Sequence, residues 1–550
     1  MPQPVDDRPL WLVLVLVGAL LLLFVNRAFH IDDPLFLWAA KQIQTHPADP
    51  YGFRVNWYGS DMAMFDVTKN PPLASYYLAL VASIVGWSER ALHLALMLPA
   101  LSVVAGMFLL ARRWCMNPAL AVLAGLLTPV FLVSGVTVMC DVLMLAFFVW
   151  AVHAWTTGLA ARSHAWMALA GALMAAAALT KYFGIALIPL LLVYALVKER
   201  RVGAWLLHFL IPIAVLIWYQ SVTLHLYGRG LLLDAAAFAP ATTGPEKLSV
   251  AKTYVTLAFT GGCVATLVGL AWQLWSRKAL LAALACAVAV MIATATVGAI
   301  GHYRLPGRPG AWWLTAGQLA VWSTAGVSLL VLAVLDWARR RDADALLLLL
   351  WTLGTFTFAG FLNWTTNGRS LLPLVVPAGL LMARRIEYRT APGRSVWRAA
   401  AAPLAAVALL SVAVTWADSR LAETARAGAK AVLDAYPPKD RTVWFQGHWG
   451  FQYYMEALGA KALDIGQSHL TPGDLVILPT TNTNLYPPPA NLTVTLGSID
   501  IESSRWLSTM SLLTGAGFYS DIFGPLPFAL GSIPAERFTV VEIRPHAPDP

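Results

Sequence analysis

The chain has 550 residues, of which 58% are hydrophobic and only 12% are charged. A soluble protein carries about 25% charged residues, so this composition excludes an ordinary soluble protein. The net charge is +9, but the basic residues lie mostly in short clusters between apolar segments, which indicates membrane orientation and not nucleic-acid binding. The four cysteines form no C-x-x-C pair, so neither a disulfide framework nor a zinc site is predicted.

Apolar runs close to the roughly 20 residues that cross a bilayer recur along most of the chain, which predicts a polytopic α-helical membrane protein. When every basic cluster is placed in the cytoplasm, the pattern predicts about thirteen transmembrane helices, with the N-terminus inside and the C-terminus outside. The predicted spans are 10–29, 91–111, 117–136, 142–158, 165–181, 183–197, 202–224, 253–275, 279–300, 314–335, 345–363, 370–383 and 396–416.

Residues 71–87 are not counted as a span. The apolar part from Leu73 to Trp87 is short for a crossing and carries the Tyr and Trp residues typical of the membrane interface. We therefore interpret it as a helix that lies in the membrane surface, within a first extracytoplasmic loop over residues 30–90.

Beyond residue 417 the composition becomes less apolar. An amphipathic helix is predicted over residues 419–436, followed by short β-strands at 442–447, 474–479, 492–499 and 537–543. The sequence thus predicts two domains, a transmembrane domain over residues 1–417 and a small extracytoplasmic α/β domain over residues 418–550.

This topology places ionisable residues of both signs at helix ends on the extracytoplasmic side. They are Asp32, Asp33, Lys69, Asp141, Lys181, His302, Arg304 and Arg369. Each residue alone is more often a helix cap or a membrane anchor than part of a site. Carboxylates and cations together on one face indicate a site that combines a base with a clamp for an anion.

Seven motifs, in chain order, carry a resemblance to a known family: IDDPLFLWAAK, KNPPLASYYLAL, SERALHLALMLP, LARRW, MCDVLMLAFF, LTKYFG and RSLLPLVVP. Over residues 30 to 380 the chain resembles the dolichyl-phosphate-mannose-protein mannosyltransferase-like superfamily (glycosyltransferase family 39, C-type fold), which includes bacterial aminoarabinose transferases. The chain departs from the latter at the double proline, where Asn70 stands in the place of their lysine and Lys69 in the place of an acid.

The resemblance implies an inverting glycosyltransferase of the inner or plasma membrane. It would move a hexose or pentose from a polyprenyl-phosphate donor to a hydroxyl of a glycan, lipid or protein acceptor on the outer face. Asp32 takes the place of the family's essential carboxylate, and Asp33 and Asp141 are the other predicted catalytic acids. The lipid phosphate is expected to contact Lys69, Lys181, Arg304 and Arg369.

No metal cluster is predicted from the residues, although a divalent metal cofactor stays open, with His302 as the one candidate ligand. A loop over residues 225–252 is a candidate lid over the lipid phosphate, on length and position.

Three alternative functions stay open from the sequence. A transporter or flippase of lipid-linked sugars would show repeated halves or charges near the bilayer midplane. An O-antigen ligase or polymerase would use related lipid-linked chemistry but lacks the acidic pair after the first helix. A scaffold or binding protein would act through the C-terminal domain, where VWFQGHWGFQYYMEALG could stack on sugars.

Overall fold

The structure, a computed structural model, describes residues 8–242, 249–306, 312–438 and 441–545. Residues 243–248 of the predicted lid lie outside the described residues. The first α-helices are Arg8–Leu22 (α1), Asp33–Thr45 (α2), Met64–Val67 (α3), Leu73–Val85 (α4), Glu89–Trp114 (α5), Pro118–Leu126 (α6), Pro129–Gly135 (α7), Asp141–Ala161 (α8), His164–Thr180 (α9), Leu187–Glu199 (α10), Leu210–Tyr227 (α11) and Leu231–Thr242 (α12).

The remaining α-helices are Val250–Cys263 (α13), Thr266–Gly269 (α14), Ala271–Leu274 (α15), Arg277–Val297 (α16), Trp312–Arg340 (α17), Ala343–Thr357 (α18), Gly368–Leu371 (α19), Val375–Arg389 (α20), Trp397–Ala435 (α21) and Trp449–Ala457 (α22). Short 3₁₀ segments are Tyr182–Ala186, Ala204–Phe209, Leu372–Leu374 and Ala490–Leu492, and α18 runs into a π-helical turn at Phe358–Leu362. The predicted lid region is therefore helical over α12.

Eight helical segments among the described residues are long and apolar enough to cross a membrane, or nine if the bent pair α6–α7 is one span. The eight are Glu89–Trp114, Asp141–Ala161, Tyr182–Glu199, Ala204–Tyr227, Arg277–Val297, Trp312–Arg340, Ala343–Leu362 and Trp397–Ala435. The prediction of a helical, membrane-like protein is confirmed, whereas the number of thirteen spans is not.

Helix breaks account for much of the difference. The predicted span 117–136 bends by 74° between α6 and α7, where Pro129 supplies no backbone N–H. The predicted span 253–275 is divided among α13, α14 and α15. In α13, a Cβ on Gly261 would lie 1.9 Å from the Trp322 carbonyl oxygen, so this helix packs against α17 at a distance only glycine permits.

The predicted span 396–416 and the predicted amphipathic helix 419–436 form one helix, α21. It is 39 residues long, and the junction between its apolar and amphipathic parts, WADSRLAETA at 416–425, contains no Gly or Pro and includes the helix formers Ala, Leu, Arg and Glu. The predicted domain boundary at residue 417 therefore falls inside a continuous helix.

In chain order the strands are Arg54–Asn56 (β1), Asp61–Ala63 (β2), Ala299–Ile300 (β3), Tyr303–Arg304 (β4), Val443–Phe445 (β5), Lys461–Ala462 (β6), Leu475–Pro479 (β7), Thr493–Ile501 (β8), Leu507–Ser508 (β9), Met510–Ser511 (β10), Ala516–Gly517 (β11), Ala529–Leu530 (β12) and Glu536–Ile543 (β13).

The C-terminal part contains a five-stranded sheet in the order β6-β5-β7-β13-β8. Strand β5 pairs in parallel with β6 and β7, while β13 is antiparallel to β7 and β8. Phe538 of β13 packs on α21 at Gly428, where a Cβ would lie 2.2 Å from its ring.

A C-terminal segment over residues 506–531, which carries β9 to β12, packs back onto the helical part. A Cβ on Gly368 would lie 2.6 Å from the Phe518 ring, and a Cβ on Gly262 would lie 2.5 Å from Pro527. The backbone N–H of Gly368 also donates to the Phe518 carbonyl oxygen at 2.7 Å. This segment therefore contacts the loop that carries Arg369.

Candidate active site

The acidic pair lies in a tight turn between α1 and α2. Ile31 has a φ of 48°, a left-handed conformation that β-branched residues rarely adopt. Such a conformation costs about 1–3 kcal/mol and persists only where the surrounding structure holds it in place. The turn makes Asp32 the N-cap residue of α2 and Asp33 its first residue, so that the two neighbours face different surroundings.

Asp33 is completely buried, and backbone N–H groups occupy both of its carboxylate oxygens. His30 donates to Oδ2 at 2.8 Å, and Val138 donates to Oδ1 at 2.9 Å. Burial raises the pKa of Asp33 to about 7, although the nearby Arg27 and the two backbone donors act in the opposite direction. These contacts join the acidic turn to the chain beyond α7 and argue against contact between Asp33 and a substrate.

Asp32 is the accessible member of the pair, since 27% of its side chain is exposed. Its Oδ2 accepts a hydrogen bond from Nη2 of Arg369 at 2.9 Å, across 337 residues of sequence. Burial lowers the pKa of the Arg369 guanidinium, but the carboxylates of Asp32 and Asp141 raise it, and the net shift is upward. Arg369 is therefore a fixed cation between two acids.

The second carboxylate–cation pair joins Asp141 to Lys181. Asp141 begins α8 and is 1% exposed, and its Oδ1 lies 2.5 Å from Nζ of Lys181, which caps the C-terminus of α9. The neighbouring Cys140 donates its thiol to Oδ1 of Asn70 at 3.7 Å. The double-proline motif thus reaches the same place as Asp141 and Lys181.

Lys69 lies beside this group but is paired with a residue of the predicted lid. Its Nζ is 2.8 Å from Oδ2 of Asp234 on α12 and 5.3 Å from the centre of the Phe238 ring. Arg229 approaches the other oxygen of Asp234 at 3.6 Å and also pairs with Asp66. A phosphate that binds Lys69 would therefore compete with Asp234.

Several buried polar atoms around these pairs have no hydrogen-bond partner in the described protein. They are Oδ2 of Asp141, Nε of Arg369, Nε2 of His30 and Oγ1 of Thr366. Nearly all buried polar atoms in folded proteins are paired, so a group of exceptions calls for an explanation. A polar substrate or an ordered water molecule that bonds to these atoms is an explanation that fits this location.

The C-terminal segment supplies residues that the sequence analysis missed. The Tyr519 hydroxyl accepts from Arg27 at 2.9 Å and donates to Asp418 at 2.9 Å, and its ring faces Arg369 at 5.7 Å. Arg27 and Asp418 form a fully buried ion pair at 2.5 Å. Neither Tyr519 nor Asp418 lies in a recognisable motif, so only the tertiary structure reveals them.

Asp521 connects α13 and the β3–β4 hairpin to the Arg369 loop. Its carboxylate accepts from Lys252 at 2.6 Å, from the Tyr303 hydroxyl at 2.5 Å, from the Thr365 hydroxyl, and from the Thr366 N–H at 3.1 Å. The loop that leads to Arg369 is thus held by the C-terminal segment.

Arg304 and His302, the other predicted site residues, are exposed in the β3–β4 hairpin. The hairpin is joined to the Arg369 loop indirectly, through Tyr303 and Asp521. No group of three His, Cys, Asp or Glu side chains that could hold a metal ion occurs among the described residues. Because Asp32 and Asp141 each hold a cationic side chain, these residues do not fit a metal site made by protein ligands, and we derive no step through a metal.

Residues 69–223 match the family model of the dolichyl-phosphate-mannose-protein mannosyltransferases. This match confirms the resemblance predicted from the motifs. The matched segment contains Lys69, Asp141 and Lys181, while Asp32 and Arg369 lie outside it. No curated protein sequence gave a significant match.

Solved structures show similarity over most of the chain. The chain is 16% identical to ArnT from Cupriavidus metallidurans bound to undecaprenyl phosphate, with a TM-score of 0.41, covering 86% of this chain and 94% of that one. It is 15% identical to the Archaeoglobus fulgidus oligosaccharyltransferase in complex with Zn and sulfate, with a TM-score of 0.44, covering 82% of this chain and 62% of that one. Likeness at this level transfers no substrate and no residue role to this chain.

Proposed function

We propose that the chain is an integral-membrane inverting glycosyltransferase. It moves a sugar from a polyprenyl-phosphate donor to an acceptor hydroxyl on the outer face of the inner or plasma membrane, with its N-terminus in the cytoplasm. The observation that carries the proposal is the junction of an accessible carboxylate, Asp32, with the buried cation Arg369, beside the Asp141–Lys181 pair. The matched mannosyltransferase family supports the reaction class.

In this reaction the acceptor oxygen attacks the anomeric carbon from the side opposite the phosphate. The bond from the anomeric carbon to the phosphate oxygen breaks, and the acceptor proton passes to a base. Asp32 is the proposed base, because its carboxylate is accessible while Asp33 is enclosed by backbone donors. The polyprenyl phosphate leaves as a monoester with one more negative charge.

Fixed cations stabilise that developing charge. Arg369 is the first candidate for contact with the phosphate, and Lys181 and Lys69 follow it. When a phosphate binds Arg369, the guanidinium divides its hydrogen bonds between the phosphate and the carboxylate of Asp32. Asp32 then becomes free to accept a proton. Asp33 is then a positioning residue, and the free oxygen of Asp141 is placed to accept a bond from a sugar hydroxyl.

The direct test incubates purified protein in lipid nanodiscs with a panel of polyprenyl-phosphate sugars and candidate acceptors. Mass spectrometry should detect an acceptor heavier by one sugar residue, together with free polyprenyl phosphate. If sealed proteoliposomes instead move the lipid-linked sugar across the bilayer with no covalent change, the transporter alternative replaces this proposal.

A further inference from the structure

A cavity lies beside the acidic turn, and neither Asp32 nor Arg369 lines it. Its volume is about 640 Å³, within the range of small-molecule sites. Its walls include the rings of Phe29, Trp87 and Tyr453, and we call it the Trp87–Tyr453 cavity. Phe29 precedes Asp32 by three positions in the sequence, so one wall of the cavity is continuous with the turn that carries the proposed base.

Contacts outside the cavity hold its aromatic walls in place. The rings of Phe29 and Tyr453 meet edge to face at 5.1 Å. The ammonium of Lys41 lies over both Trp87 and Tyr453, at 5.5 Å and 5.4 Å from the ring centres. The backbone N–H of Phe29 donates to the Tyr454 hydroxyl at 2.8 Å, which ties α22 to the acidic turn. The rings are therefore preorganised.

Two arginines and one glutamate line the cavity, and Glu423, which does not line it, supplies a second negative charge beside Arg426. Arg426 pairs with Glu89 and Glu423, Arg90 donates to the amide oxygen of Asn26, and Glu89 also accepts from the Tyr454 hydroxyl. The lining thus offers donors and acceptors with little net charge. An anionic headgroup would meet the Glu89 carboxylate, and a prenyl chain would have to desolvate these charged groups.

A pyranose ring matches this combination of walls. Its C–H faces are apolar and pack on aromatic rings, while the hydroxyls at its edge bond to carboxylates, guanidinium groups and amides. We propose that the Trp87–Tyr453 cavity binds a neutral pyranose residue of the acceptor. This inference rests on the proposed function, and it selects a glycan or glycolipid from the acceptor classes that the sequence leaves open.

The test measures binding without turnover. Protein in phosphatidylcholine nanodiscs, free of sugar-headed detergents, is titrated with methyl α-glycosides of mannose, glucose and galactose and followed by saturation-transfer NMR. Trp87→Leu and Tyr453→Leu should each weaken binding about tenfold, because aromatic side chains dominate such contacts. Tyr453→Phe keeps the ring and should bind as wild type, which separates ring loss from misfolding. Tyr388→Leu, at a 68% exposed tyrosine on α20 among the basic residues assigned to the cytoplasm, is the matched control.

The proposal is overturned if no glycoside binds saturably, or if both leucine variants bind as wild type does. It is also overturned if phosphatidylglycerol in the nanodisc displaces the glycosides and this displacement depends on Arg426. The occupant of the cavity is then a lipid headgroup. The Asp32→Asn protein should retain glycoside binding. If the wild-type protein binds glycosides but transfers no sugar, the proposed function is contradicted, while the assignment of this cavity stands.

Discussion

Replacing Asp521 with Asn should weaken both the fold and the donor site, because this one carboxylate joins the C-terminal segment to the Arg369 loop. Asp521 is only 5% exposed, and four donors converge on its two oxygens. An asparagine keeps one oxygen and presents an NH₂ group to donors on the other side. It also leaves the ammonium of Lys252, whose side chain is 10% exposed, without its counter-charge.

The size of the effect follows from that burial. Removing one partner of a buried ion pair costs about 3–5 kcal/mol, since the remaining charge stays desolvated and unpaired. If the remaining amide oxygen faces the Lys252 ammonium, the NH₂ group faces the Thr365 hydroxyl and the Thr366 N–H, which lose their acceptor. The loop that positions Arg369 then loosens. A cation displaced by about 1 Å is expected to raise the KM for the donor by an order of magnitude or more.

Both effects can be measured on one preparation. Unfolding in mixed micelles gives the free energy of unfolding, and initial rates at varied donor concentration give KM and kcat. Asp500→Asn is the matched control, because Asp500 pairs with Arg537 through both oxygens at 2.8 Å on the exposed sheet. If Asp521→Asn matches this control in stability and in donor KM, the assigned role of the C-terminal segment is refuted.

Three further predictions concern the charged groups of the site. Arg369→Gln should raise the donor KM at least about tenfold, because a charge-assisted contact with the phosphate is lost, while the control Arg537→Gln should not change it. Equal donor KM values for the two variants would remove Arg369 from the phosphate site. Asp234→Asn should lower the donor KM, because Lys69 loses its competing carboxylate; an unchanged KM would exclude Lys69 as a phosphate ligand. Burial raises the pKa of Asp33 to about 7, so the folded state keeps a proton that the unfolded chain releases, and stability should fall as pH rises from about 4 to about 7. Asp33→Asn should lose this pH dependence, and an identical pH profile of unfolding for both proteins would contradict the assignment.

The sequence predicts the membrane-helical class because hydrophobic composition and basic clusters act over whole segments. The number of thirteen spans is not confirmed, because predicted spans such as 117–136 and 253–275 are bent or divided into shorter helices among the described residues. Close packing between helices is also not readable from the local pattern, since the contact of Gly261 with α17 depends on a partner about sixty residues away. In α21, helix-forming residues lie on both sides of residue 417, so the helix continues although the hydrophobicity changes there. The change in hydrophobicity is the feature that predicts a domain boundary at this residue.

The site is predictable to the extent that its residues occupy motifs. The structure pairs Asp32 with Arg369 and Asp141 with Lys181, while the position of these residues on the outer face of the membrane stays a prediction. The separation of Asp32 from Asp33 is not readable from the sequence, because it depends on the left-handed conformation of Ile31. Tyr519 lies 492 residues from its partner Arg27, and no local pattern links residues so distant.

The central claim is that Asp32 accepts the acceptor proton, and Asp32→Asn tests it most directly. The asparagine preserves the shape of the side chain but cannot act as a base. The rate of sugar transfer at saturating donor should fall about 10²- to 10⁴-fold, with donor binding and membrane insertion retained, while Asp500→Asn keeps the wild-type rate. Transfer by Asp32→Asn within about threefold of wild type would contradict the assignment of Asp32 as the base.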